Sequence, residues 1–227
     1  MKFINFIAFT LILGGYAATA QELRNKFGEA YYTADLYKKD NPLVEGTPYL
    51  DEQFKPAKIN QLEETKLVRL DALNHQAEIL VRDNSVMVLD DSRPFTIRFL
   101  DGSGKVYVNR EYTDENGVKG KSVFLRYHET GEFALYEREE IRFYKEVKAQ
   151  GYQDYQPPQY RKERSTFYLL NKNEKDSLLV ALPSRAKKFA ESFPEGSKDL
   201  KNFIKEERLD PGEAQDLVRV LTYYFKS

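Results

Sequence analysis

Between residues 66 and 100 apolar and polar side chains alternate with a period of two, broken three times by short polar clusters. Successive side chains of a strand point to opposite faces, so the pattern predicts four half-buried strands. Phe95, Ile97 and Phe99 face one way, Thr96 and Arg98 the other. Ala77, Ile79 and Val81 repeat the pattern against Glu78 and Arg82. In the third run Val86 and Val88 are expected on the buried face, with Met87 and Leu89 opposite. Asp83-Asn84 suits a hairpin connection, because both residues tolerate the positive φ that tight turns require. Gaps this short leave no room for crossover helices, so adjacent strands are expected antiparallel, each joined to the next by a hairpin.

The alternation continues on either side. Upstream, residues 21–37 are read as a short helix or irregular segment. Residues 49–59 are read as an extended piece at a sheet edge, because Pro48 and Pro56 cannot donate to a ladder. Downstream, strands are expected around Val106 and Val108, with Tyr107 on their other face, and around Val123, Leu125 and Tyr127. Asn116-Gly117 between them suits a type I′ turn. Further strands cover Phe133 to Tyr136 and the alternating Ile141, Phe143 and Val147, then residues 166–170 and 177–182. From Pro183 the period lengthens toward four. Ala186, Phe189, Ala190 and Phe193 make one helical face, and Leu200, Phe203 and Ile204 a second, with Ser197 as its cap. Ala214, Leu217, Val218 and Leu221 make a third, preceded by Asp210, Pro211 and Glu213 as an acidic cap, a first-turn proline and a capping glutamate.

These elements predict an α+β, predominantly β fold: an antiparallel meander sheet, partly closed barrel or sandwich, with a C-terminal three-helix appendage. The chain divides into a signal peptide (1–20), an N-terminal segment (21–45), the antiparallel β domain (46–182) and the helical appendage packed on the sheet (183–227). The signal is read from Lys2, the apolar run from Phe3 to Leu13, and Ala18-Thr19-Ala20, which predict cleavage after Ala20 and a periplasmic or secreted location. The absence of cysteine removes both disulfides and lipidation at a cysteine, so the core alone must hold the domain. That core has ample material in 16 Tyr and 15 Phe. A net charge of −1 argues against nucleic acid, whose binding needs basic surfaces. No run after the signal is long enough for a membrane-spanning helix.

Candidate chemistry is sparse. His75 and His128 fall in or beside predicted turns and lack metal-site spacing, so both are expected exposed. Asp101-Gly102-Ser103-Gly104 and Asp114-Glu115-Asn116-Gly117 carry oxygen ligands but complete no calcium loop, and fit ordinary turns. Ser184-Arg185-Ala186-Lys187 has the spacing of a serine nucleophile and its lysine, without the companion motifs. Glu137 and Glu139 would share one strand face, as paired carboxylates must for glycoside hydrolysis, but lie in a run of charge typical of a wet sheet face. No catalytic residue, metal or cofactor is expected.

One connection stands out. Residues 149–160, AQGYQDYQPPQY, form a long Pro- and Gln-rich loop holding Tyr152, Tyr155 and Tyr160, which could contact a partner because tyrosine offers large area at low entropy cost. The segments GTPYLDEQFKPAKI (46–59) and VRLDALNHQAEILV (68–81), with the tail from Thr166 through LKNFIKEERLDPGEAQDLVRVLTYYF (200–225), resemble uncharacterised exported proteins of Bacteroidota. The resemblance covers most of the mature chain and implies an envelope or secreted location, with no activity attached. The leading functional expectation is a non-enzymatic binding module for an envelope protein. The alternatives are a carrier holding a lipid or other apolar molecule between sheet and helices, and a hydrolase without a recognisable motif. A closed, filled sheet favours the module; a helix-lidded cavity favours the carrier.

Overall fold

The structure is a computed structural model. It describes residues 44–226, except 61, 82–84, 152–153, 175–177 and 194–195, together with the backbone of two short upstream strands. The described elements are β1 (Leu23–Arg24), β2 (Ala30–Thr33), β3 (Lys55–Ile59), β4 (Lys66–Asp71), β5 (Gln76–Leu80), β6 (Val86–Leu89), β7 (Thr96–Phe99), β8 (Val106–Thr113), β9 (Lys119–Glu129), β10 (Phe133–Arg138), β11 (Ile141–Tyr144), β12 (Gln159–Lys162), β13 (Thr166–Asn171) and β14 (Leu179–Ala181). Helices α1 (Ala186–Glu191), α2 (Ser197–Glu206) and α3 (Ala214–Lys226) follow. The fold is predominantly β with three C-terminal helices, as the hydrophobic pattern predicts. No described helix is long and apolar enough to cross a membrane.

The main sheet runs β1-β2-β6-β5-β4-β3-β7-β8-β14-β13-β10-β9, and β9 also pairs with β8. Strands β8, β9, β10, β13 and β14 therefore close into a five-stranded barrel. Its seam is a parallel pair, with Leu179 opposite Tyr112 and Val180 opposite Thr113. The barrel is too narrow for anything but side chains. Val108, Phe124, Ala134, Tyr136, Tyr168, Leu179 and Ala181 fill it. Phe124 meets Tyr168 and Tyr136 edge-on, at 5.0 and 6.5 Å between ring centres.

Two further cores lie against this barrel. The N-terminal strands curl over Ala57, Ile59, Val68, Leu70, Ile79, Ile97 and Phe99, with Tyr107, Val123 and Leu125 of the barrel strands packing against them. On the other side, Phe133, Leu135, Phe167 and Leu169 point out of the barrel into Phe189, Leu200, Ile204, Leu217, Val220 and Leu221 of the helices. Strands β8, β10 and β13 are thus covered on both faces where they separate two cores. Val106, Tyr107 and Val108 are all buried, as are Phe133, Ala134, Leu135 and Tyr136.

Several expectations need correction. The described part of 21–37 is strand, with β1 on β2 and β2 on β6. Pro56 lies in a central strand, between β4 and β7. Its carbonyl accepts from Leu100 beyond the end of β7, so its nitrogen, which points the same way, meets no β7 acceptor. In β6 the inward side chains are Met87 and Leu89, while Val86 and Val88 are half-buried on the opposite face. Strand β7 is no hairpin partner of β6; it crosses to the free side of β3 and pairs with β3 and β8. Buried Asn109 secures this crossing, accepting from the Phe95 amide and donating to the Asp91 and Arg93 carbonyls. The proposed Asp83-Asn84 turn lies outside the described residues, although the Val81 amide reaches the Ser85 carbonyl across it at 2.9 Å.

The Asn116-Gly117 hairpin exists, but as a three-residue loop. Asp114 and Val118 flank it through a 2.9 Å amide–carbonyl bond, and only Gly117 has positive φ, at 80°. This is a type I turn closed by a left-handed glycine rather than a type I′ turn. The helix caps differ too. Helix α2 is preceded by Gly196 at φ 83° and begins at Ser197, with no side-chain cap. Residues 210–213 form a turn ahead of α3, in which Asp210 accepts from the Gly212 amide and Asp216 reaches back to the Asp210 amide.

Candidate functional site

Strands β11 and β12 stand apart from the main sheet as a two-stranded arm. Ile141 pairs with Lys162, Arg142 with Arg161, Phe143 with Tyr160 and Tyr144 with Gln159. Val147 and Gln156 then exchange two further 2.9 Å backbone bonds. Between these stretches lie Pro157 and Pro158, which lack the amides to continue the ladder. The loop expected over residues 149–160 is therefore shorter than the sequence suggested: its first part is the tip of the arm, while Gln156 already pairs back and Gln159 and Tyr160 belong to β12.

Of its three tyrosines, Tyr152 lies outside the described residues. Tyr155 is 51% exposed near the tip. Tyr160 is half-buried in β12, its ring 5.1 Å from that of Phe143. The arm also exposes two aromatics that sequence reasoning missed, Phe143 at 42% and Tyr144 at 39%. Phe143 alternates with Ile141 and Val147 just as a core residue would; only Ile141, at the base, is buried. Tyr144 lies on the opposite face, donating to Glu163 at 2.6 Å with the Arg161 guanidinium 5.2 Å from its ring.

The base of the arm is fastened by charge. Glu139 and Glu140 make the two-residue connection from β10 to β11. Tyr107 donates its hydroxyl to Glu139 at 2.7 Å, and Lys162 donates to the same carboxylate at 2.9 Å. Glu140 receives Arg142 at 2.6 Å and Arg138 at 3.5 Å. The Ile141 amide reaches the Ala72 carbonyl. Burial alone would raise the Glu139 carboxyl, but the two donors outweigh it and hold the group below its ordinary value. Burial next to Glu139 pushes the Tyr107 hydroxyl strongly upward.

A carboxylate with a depressed folded-state pKa stabilises above its unfolded pKa and loses that contribution as pH falls through the folded value. The stability advantage of wild type over Glu139→Gln should therefore stay constant above the ordinary glutamate value of 4.5 and shrink on further acidification. Thermal melts of both proteins across that window check this, and an advantage constant down to pH 3 would contradict it.

On its other edge, β12 takes up an upstream segment. The Glu45 amide donates to the Pro158 carbonyl at 3.0 Å, and the Tyr160 amide donates to the Glu45 carbonyl at 2.8 Å. Gly46 then turns the chain away at φ 75°, and a Cβ there would lie 2.7 Å from the Tyr160 carbonyl oxygen. Gly46→Ala should cost about 1–3 kcal/mol locally. Hydrogen exchange should show the Tyr160 amide losing protection while the barrel strands keep theirs; unchanged protection at Tyr160 would contradict the role of Gly46 in holding Glu45 against β12.

The remaining candidates have structural partners. His75 is not the exposed turn residue expected. It is half-buried at φ 55°, and burial followed by the nearby Arg138 charge lowers its pKa. His128 lies in β9, half-buried against the Phe133 ring at 5.7 Å. Asp101 and Asp114 spend carboxylate oxygens on Ser103, and on the Asn116 and Val118 amides, respectively. Lys187 is exposed and faces Glu191 at 3.9 Å. Glu137 sits in β10 and Glu139 just beyond its end, both on the side of the sheet that carries Tyr107, and Glu139 is engaged by Tyr107 and Lys162.

A cleft of about 380 Å³ opens where β7 leaves β8 and β14 joins it, lined by Asn60, Phe95, Asn109, Arg110, Lys121 and Leu179, among others. Asn60 is engaged by the Thr96 amide, and Asn109 by the crossing described above. Comparison with known proteins returns no match: no family model, no curated protein and no solved structure is significantly similar to this chain.

Proposed function

We propose that this chain is an exported, non-enzymatic interaction module that meets a protein partner through the β11–β12 arm. The observation that carries the reading is the arm itself. Phe143, Tyr144 and Tyr155 are held in solvent on a braced ribbon, whereas Phe124, Tyr136 and Tyr168 are packed inside the barrel. Exposed aromatics on a fixed backbone lose little entropy on contact, which is why binding surfaces favour them. Export rests on the apolar run from Phe3 to Leu13 and the small residues that follow. The likeness to exported Bacteroidota proteins points to the same compartment.

A carrier of a small apolar molecule is the second reading, and the cleft beside Asn109 favours it, having the volume of a small-ligand pocket. Native mass spectrometry of the mature protein, released gently from its own envelope, separates the two. The module reading expects the polypeptide mass without a small adduct, alone or with a second polypeptide. A discrete small mass that disappears on organic extraction would overturn it in favour of the carrier.

A further inference from the structure

We propose that Asn116, at the tip of the β8–β9 hairpin, is a modification site, where the side-chain amide is lost by cyclisation onto the Gly117 nitrogen and replaced by a carboxylate.

The Gly117 nitrogen attacks Cγ of Asn116. A C–N bond forms, and the amide nitrogen leaves as ammonia, taking the Gly117 proton with it. One water then opens the resulting imide at either of its carbonyls. One opening leaves an ordinary aspartate; the other routes the main chain through the side chain and adds a backbone carbon. The balance is one water consumed and one ammonia released. Glycine suits the attacking position because it brings no Cβ near the new bond.

The chain has one Asn-Gly pair and one Asp-Gly pair, Asp101-Gly102, which is open to the same cyclisation. Both lie in exposed turns, with the glycine φ at 80° and 83° respectively. Their side chains set them apart. Asp101 accepts from the Ser103 amide at 3.0 Å and its hydroxyl at 2.6 Å, and Lys55 lies 3.3 Å away. Ser103 first, with Lys55 behind it, holds the carboxyl down at about 2, so Asp101 is a fixed anion and a poor electrophile. Asn116 carries a neutral carboxamide with no hydrogen-bond partner among the described residues.

The fold supplies a brake. The Gly117 amide donates to the Asp114 carbonyl at 3.0 Å, so the attacking nitrogen is engaged until the loop opens. The Asp114 carboxylate tightens the same loop by accepting from the Asn116 and Val118 amides, both at 2.8 Å. An exposed tip opens locally far more often than the barrel does, so the reaction is slowed and not stopped.

The product reaches the barrel through the strand register. A loop of three residues cannot take up an extra backbone carbon without disturbing the Asp114–Val118 bond that closes it. Just beyond, Tyr112 lies against Gly120, where a Cβ would stand 2.9 Å from its ring, and the same ring touches Phe124 and Tyr168.

The test incubates the mature chain at neutral pH, folded and in urea, beside folded Asp114→Ala and Asn116→Gln. Peptide mapping that resolves aspartyl from isoaspartyl products follows each. Asn116 should convert in the folded chain, at least about threefold more slowly than in urea, because a hydrogen bond must first break. Asp114→Ala should speed the folded reaction at least about twofold. Asn116→Gln should leave that peptide unchanged, and Asp101 should stay aspartyl in the folded chain. Hydrogen exchange on the isoaspartyl form should show the Asp114 amide losing protection while Phe124 keeps its own. An intact Asn116 in the folded chain, after the urea sample has converted, would overturn the site. Isomerisation of Asp101 as fast as conversion of Asn116 would overturn the selection between them. Equal rates in the folded chain, in urea and in Asp114→Ala would overturn the brake.

Discussion

Glu78→Ala should destabilise the protein by about 3–5 kcal/mol, because it leaves a buried guanidinium without its counter-charge. The Glu78 side chain is 3% exposed and that of Arg69 13%, on neighbouring central strands. The two are joined by bonds of 2.8 Å from Nε and 2.6 Å from Nη2. Arg69 also donates to the Tyr49 hydroxyl at 2.9 Å, and its guanidinium lies 3.6 Å from the Tyr49 ring centre and 4.3 Å from that of Phe54. Burial, with Glu78 nearby, pushes the Tyr49 hydroxyl up to about 12, so it stays protonated throughout the neutral range. The cluster pins residues 49–54 across the outer face of β4 and β5 and shields those strands from water. The denaturant midpoint should drop accordingly. The double variant Arg69→Met with Glu78→Leu should lose much less, since a matched apolar pair carries no orphaned charge. Equal losses in the single and double variants would contradict this account.

Phe124→Ala should cost a similar amount, about 3–5 kcal/mol, by emptying the middle of the barrel. Phe124 is fully buried and touches the rings of Tyr112, Tyr136 and Tyr168. These neighbours cannot collapse into the space easily, because each belongs to a different strand of a closed ring. Phe124→Leu, which keeps most of the volume, should cost markedly less. Urea unfolding of both variants checks the order; an alanine variant no worse than the leucine one would show that the barrel interior is loosely packed.

These two residues also mark where the sequence was legible and where it was not. Strands β4, β5 and β7 were readable because polar residues alternate with core residues along them, and Phe95, Ile97 and Phe99 show the alternation without ambiguity, whereas β6, apolar on both faces, had its inward side misassigned. Phe124 was passed over for Val123, Leu125 and Tyr127 because β9 is covered on both faces along part of its length, and burial on both faces erases the period of two. Barrel closure was beyond reach for a different reason. It depends on Leu179 and Val180 meeting Tyr112 and Thr113 in parallel, a contact between distant segments that no local pattern encodes. Glu78 was correctly placed on a polar face, but nothing near it announces that residues 49–54 fold over that face.

The arm was half legible. Prolines and tyrosines identified residues 149–160 as unusual, and Tyr155 is exposed there. Phe143 has the neighbours and spacing of a core residue, but among the described residues no layer covers it. Tyr144 was equally invisible, since an aromatic on the polar face of an alternating strand is common in both ribbons and sheets. Local sequence specifies a strand's two faces; what lies against each is decided by the rest of the chain.

The account stands most directly on whether the arm is where a partner meets the protein. A photoreactive amino acid should be placed in turn at Phe143 and Tyr155 on the arm, and at Leu100 and Val180, which are as exposed but lie outside it. Each protein is then irradiated in its native cells. A discrete adduct with one polypeptide from the two arm positions, and none from the other two, is the predicted result. Adducts equally frequent from all four positions, or confined to Leu100 and Val180, would contradict it.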